Sequence, residues 1–166
     1  MLAWFSSRER ETCWARSSTR AAGQSFLGPV QALLAIQQAW INLGRGDLDG
    51  AERQLRKAFE YSVAHHYDRP DVGAALEARA ALELARGDAR GAAWLHGLHA
   101  VVRGGRLPAS ATPDLEATAR AARAELGEQA YGAAFEEGRA VQPGTELRVC
   151  CRVFGAAPEV VPGWWA

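Results

Sequence analysis

His96 and His99 stand three residues apart in WLHGLH, a spacing that places both imidazoles on one side of a helix. Two such rings can share a metal, but zinc wants three or four ligands, and no further residue follows at a spacing that would supply one. Imidazoles packed inward are the favoured reading. His65-His66 are adjacent, so their rings diverge; at a helix end they suit the dipole better than ligation. Cys150-Cys151 cannot bridge one another without strain. The stretch Asp47-Leu48-Asp49-Gly50 begins like a calcium loop, but the position that must carry a bidentate glutamate is Ala58. Glu77 and Glu83, or Glu136 and Glu137, have no sequence neighbour that would tune a carboxyl for proton transfer, and they read as solvated helix faces. Trp40 reads either as a groove-facing anchor for a ligand or peptide or, the favoured reading, as interhelix packing. The expectation is no catalytic residue, no metal and no cofactor.

These residues need elements to position them. The chain has 166 residues, 48% of them hydrophobic, which is enough for one respectable core. Lys and Arg number 19, as do Asp and Glu, so no global field favours nucleic acid, and direct contact with it is not expected. Three cysteines, Cys13, Cys150 and Cys151, are too few and too badly placed for a disulfide framework, and a reducing compartment fits them best. The opening MLAWFSSRERETCW puts charge where a signal peptide needs its apolar centre, and no run approaches the roughly 20 apolar residues of a membrane span. A soluble, cytoplasmic chain with no membrane contact is expected.

Residues 1–28 carry aromatics without sustained period and read as an irregular segment. From Pro29 a helical period sets in, with Leu33, Leu34, Ile36, Ala39, Trp40 and Leu43. Gly44 and Gly46 stop that helix, and Asp47 caps a second carrying Leu48, Ala51, Leu55, Ala58 and Phe59. This second helix is expected to fade near His65-His66. Pro70-Asp71 opens a third helix, Gly87 ends it, and Asp88 caps a fourth that carries the two histidines. Thr112-Pro113-Asp114 is the clearest start in the chain, leading to a fifth helix that ends at Gly127 and a sixth that ends near Gly138. After Pro143-Gly144 the stretch 147–154 is partly β-branched and flanked by glycines, and it reads as an isolated strand in an irregular tail over 142–166. Trp164 and Trp165 end that tail, which either docks on the bundle or is an aggregation hazard. The odd ends also read as those of a fragment or remnant.

The Gly46-Asp47 and Gly87-Asp88 junctions lie 41 residues apart, and Ala51 and Ala92 follow them at one offset. Ala39 and Ala80 precede them, also at one offset. Small residues there let two helices nest, and the register resembles the tetratricopeptide repeat, lengthened from its usual 34 residues. Over 72–141, the segments LEARAALELARGDARGAAWLHG and AARAELGEQAYGAAFEEGRA resemble the C-terminal region of actinobacterial transcriptional regulators. These are the antibiotic-regulatory-protein family, with its bacterial transcriptional activator domain, and the large ATP-binding LuxR-family regulators. There is no Walker A motif, Lys57 being the single lysine, and no basic recognition helix.

The resemblance implies an all-α fold of stacked tetratricopeptide-like hairpins, about six helices over 29–141. It also implies a non-catalytic scaffold that binds a protein segment or small effector on a concave face, for which Gln37, Trp40, Glu77 and Ala81 are the candidates. The alternative is a small helical enzyme or ligand-processing protein of a biosynthetic cluster that uses His96 and His99.

Overall fold

The computed structural model describes residues 27–64, 69–103, 113–142 and 144–156, and within them the chain is all-α. Seven helices follow one another: α1 (Leu27–Gly44), α2 (Leu48–Ala64), α3 (Arg69–Ala85), α4 (Ala89–Val102), α5 (Pro113–Leu126), α6 (Glu128–Arg139) and α7 (Glu146–Phe154). The starts expected at Pro29, Pro70 and Pro113 fall within two residues of the observed ones. His65-His66, Cys13 and the terminal tryptophans lie outside the described residues.

The two Gly-Asp junctions build the same turn twice. Gly46 and Gly87 adopt φ of 75° and 83°, a left-handed backbone that an L side chain resists. The Gly46 N–H donates to Leu43 O (3.0 Å) and that of Asp47 to Asn42 O (2.9 Å); the Gly87 N–H donates to Leu84 O and that of Asp88 to Glu83 O, both at 2.9 Å. This is the Schellman pattern, which satisfies the last carbonyls of the outgoing helix. Each aspartate then turns to the incoming helix, its Oδ1 accepting from the Gly50 N–H at 2.8 Å or the Gly91 N–H at 2.7 Å. One residue thus closes one helix and caps the next. Asp88→Ala keeps the closing backbone bonds and loses the cap, and should cost about 1 kcal/mol. Urea denaturation reads that loss directly.

Such short turns fold α1 back on α2 and α3 back on α4, and the two hairpins pack together through α2 with α3 and α1 with α3. Ala39, Ala51, Ala58, Ala80 and Ala92 are all fully buried, as close nesting of paired helices requires. Leu55, Phe59, Leu76, Leu82 and Leu98 fill the space between them. Glu52 of α2 accepts from Arg79 (3.1 Å) and Arg86 (2.8 Å), tying the hairpins at their rim. The Arg86 hydrogen bond, with the charges of both arginines, holds the Glu52 carboxyl below the usual carboxylate range. Leu33 and Leu34 depart from the expected apolar stripe of α1. With Val30 and Ile41 they face solvent.

α6 packs chiefly on α4, and the contact is glycine on glycine. A Cβ built at Gly97 would lie 2.0 Å from Phe135 O, and one at Gly138 would lie 2.0 Å from Trp94 O, so the two backbones touch. Outside this contact, Arg90 forks onto both Glu137 oxygens, at 2.8 and 2.9 Å. α5 joins α6 through Gly127 alone, whose φ of 80° and ψ of 157° are essentially confined to glycine. It packs chiefly on α4, and about equally on α3 and α6.

The strand expected over 147–154 is the helix α7. Leu147, Cys150, Cys151 and Phe154 recur at spacings of three and four, and the last three are buried. Cysteine packs there as a small hydrophobe, while the flanking glycines start and stop a helix instead of bounding a strand. Phe154 stacks on Phe59 of α2 at 4.8 Å, and Arg56 Nε donates to Phe154 O at 3.1 Å. Burial pushes the Cys150 thiol up to about 12, so it is inert packing. This end of the expected irregular tail therefore docks on the bundle. No helix among the described residues is long and apolar enough to cross a membrane.

Candidate functional site

A cavity of about 470 Å³ opens among α4, α5 and α6. This lies within the usual range of small-molecule sites. α4 contributes His96 and His99; α5 contributes Leu115, Glu116, Ala119, Arg120 and Arg123; α6 contributes Tyr131 and Phe135. The helical period explains the set, since residues three and four apart on each helix share the face turned to the gap.

His96 and His99 are 4% and 1% exposed, which places both rings in the interior. His96 Nδ1 lies 3.0 Å from the Tyr131 hydroxyl, and its Nε2 is buried with no hydrogen-bond partner among the described residues. Burial chiefly, then the charges of His99 and Arg123, lowers the His96 pKa to about 4 against the opposing pull of Glu77. His96 is therefore a neutral imidazole at pH 7. Burial likewise raises the Tyr131 pKa, so its hydroxyl keeps its proton. If that hydroxyl donates to Nδ1, only one group is left unmet, the Nε2 N–H; the other tautomer strands both the hydroxyl proton and the Nε2 lone pair. His96, a residue of the cavity lining, thus holds a buried neutral N–H donor.

His99 is backed by α3. Its Nε2 lies 3.0 Å from Glu77 Oε1, and Arg103 Nη1 lies 3.4 Å from the same oxygen. The imidazole contact is an ion-pair distance without hydrogen-bond alignment, Nε2 having no hydrogen-bond partner among the described residues. At the mouth, the Arg123 guanidinium lies over the Tyr131 ring at 4.3 Å and reaches Glu128 at 3.6 Å. Arg120 is exposed and has no ion-pair partner among the described residues.

The four residues expected on a concave face fare differently. Gln37 is exposed, and Ala81 is half-buried. Trp40 is half-buried and packed against the core. Glu77 corrects two expectations, being neither on an accessible face nor without a partner: it is buried against His99 and Arg103. His96 and His99 do point inward as their spacing indicates, and the structure gathers Tyr131 and Glu77 around them. Those partners sit on other helices, and no local pattern marks them. Arg120 and Arg123, three apart on α5, were not singled out from the sequence. Among the described residues no three His, Cys, Asp or Glu side chains are grouped to hold a metal.

No protein-family model matches the chain, and comparison with curated proteins and with solved structures returns no match.

Proposed function

We propose that this chain is a non-catalytic helical scaffold that holds a small effector in the cavity among α4, α5 and α6, as a regulatory module of a transcriptional regulator. The observation that carries the reading is a cavity of suitable size into whose wall a buried imidazole nitrogen is built without a partner. An orphaned buried donor costs free energy that a ligand acceptor would recover. A small effector is preferred to a protein segment because Trp40 packs against the core and Glu77 is withdrawn from the surface. The regulatory setting rests on the resemblance of residues 72–141 to regulator C-terminal regions, as does the tetratricopeptide-like stacking. Cytoplasmic location belongs to the same proposal, supported by the free thiols of Cys150 and Cys151.

The test is to follow the His96 and Tyr131 ring resonances while titrating a library of aromatic fragments. Compounds that shift these rings should lose at least about tenfold in affinity in Ala119→Trp, which fills the cavity from α5. A library that moves neither ring, or that binds the filled variant equally well, rejects the proposal.

A second reading, a small helical enzyme using His96 and His99, draws support from the Glu77 carboxylate 3.0 Å from His99 Nε2. It requires turnover of a bound compound that His99→Gln abolishes while binding persists. Unchanged compound after prolonged incubation would leave the scaffold reading alone.

A further inference from the structure

We infer that the ligand class of this cavity is an organic anion with an aromatic or otherwise apolar body, its carboxylate or equivalent acidic group held between the His96 Nε2 N–H and the Arg120 guanidinium. The inference rests on the effector-site reading above and adds the chemistry of the ligand. Three independent features converge on it.

The walls between α5 and α6 are largely hydrocarbon, with Leu115, Ala119 and Phe135 offering no hydrogen bond to a polar ligand body. His96 Nε2, which like His99 Nε2 is buried without a hydrogen-bond partner among the described residues, is a donor in the tautomer that lets the Tyr131 hydroxyl donate to Nδ1. Among the described residues, the formal charges lining the cavity are two guanidiniums, Arg120 and Arg123, against the carboxylate of Glu116. Arg120 has no ion-pair partner among the described residues, whereas Arg123 is shared with Glu128 and the Tyr131 ring. A cationic ligand would find, among the described residues, no lining carboxylate other than Glu116 to receive it.

The test compares 2-naphthoate with 2-naphthamide, two probes of one shape that differ in charge, by titration of the full chain followed on the His96, Tyr131 and Phe135 ring resonances. The expected result is that both probes shift these rings, with naphthoate binding at least about tenfold more tightly, since hydrogen bonds to an ionised group are roughly twice as strong as neutral ones. Arg120→Gln, an exposed change that leaves the core untouched, should reduce that preference to about threefold or less without altering naphthamide binding. Equal binding of the two probes at these rings overturns the anion inference and leaves the effector site standing. Rings that stay still with both probes at millimolar concentration overturn the inference and the effector site together.

Discussion

Gly97→Ala should cost about 3 kcal/mol, a large share of the stability of a domain of this size. The added methyl would lie 2.0 Å from Phe135 O, 2.9 Å from Arg139 N and 3.0 Å from Gly138 Cα, all of them backbone atoms of α6. A flexible side chain could swing aside, but a helix backbone can yield only by moving the helix. α6 would have to withdraw from α4, taking Tyr131 from His96 and breaking the Arg90 fork on Glu137. Gly132→Ala is the control. It lies on the same α6 with nothing within 4 Å of its new Cβ, so it should gain about 0.5–1 kcal/mol from helix propensity alone. Urea denaturation of the two variants separates the effects; a Gly97→Ala protein as stable as wild type would mean that the glycine contact is not closed in solution.

A pH dependence of comparable size is expected from His96. Its pKa is lowered to about 4 in the folded chain, against about 6.5 in the unfolded one. Between these values the unfolded state binds the proton and the folded state does not, so stability falls as pH falls through this window. The loss from pH 7 to pH 4 should amount to about 3 kcal/mol from this residue. Glu52 contributes in the same direction, its carboxyl being held low by Arg86, so the wild-type slope alone does not isolate the histidine. His96→Gln removes the titration while keeping a polar side chain. The variant should lose about 3 kcal/mol less than wild type over the same interval, read by chemical denaturation at the two pH values. Equal losses would mean that His96 takes up its proton in the folded state.

The parts of the fold legible in the sequence are those set locally. Gly46-Asp47, Gly87-Asp88 and Pro113 announce helix ends because left-handed turns, caps and first-turn prolines depend on a few adjacent residues. The nesting alanines were legible as well, since the 41-residue echo lined up Ala39 with Ala80 and Ala51 with Ala92. α7 was misread for a specific reason. Val149 and Val153 drew it toward a strand, while the stripe of Leu147, Cys150, Cys151 and Phe154 goes unnoticed unless cysteine is counted as apolar. The site was half legible. Two histidines three apart share a helix face by geometry, but the Tyr131 that fixes the tautomer of one and the Glu77 beside the other arrive by packing between helices. Nothing near position 96 marks residue 131. The approach of Gly97 to Gly138, on which the cavity depends, was equally hidden, because a glycine inside a helix reads locally as a weak point and reveals its purpose only against its partner.

The residue shared by two helix ends in each Gly-Asp turn has a mechanical consequence. Asp47 and Asp88 lock the hairpins on both sides of the turn, so neither pair can change its opening without breaking backbone and side-chain bonds together. α6 is soldered to α4 by bare backbone. Gly127, with no side-chain cap, is the shortest connection between described helices, a single residue between α5 and α6. The two sides of the cavity are therefore held differently, α6 by direct backbone contact with α4 and α5 to α6 through one uncapped glycine.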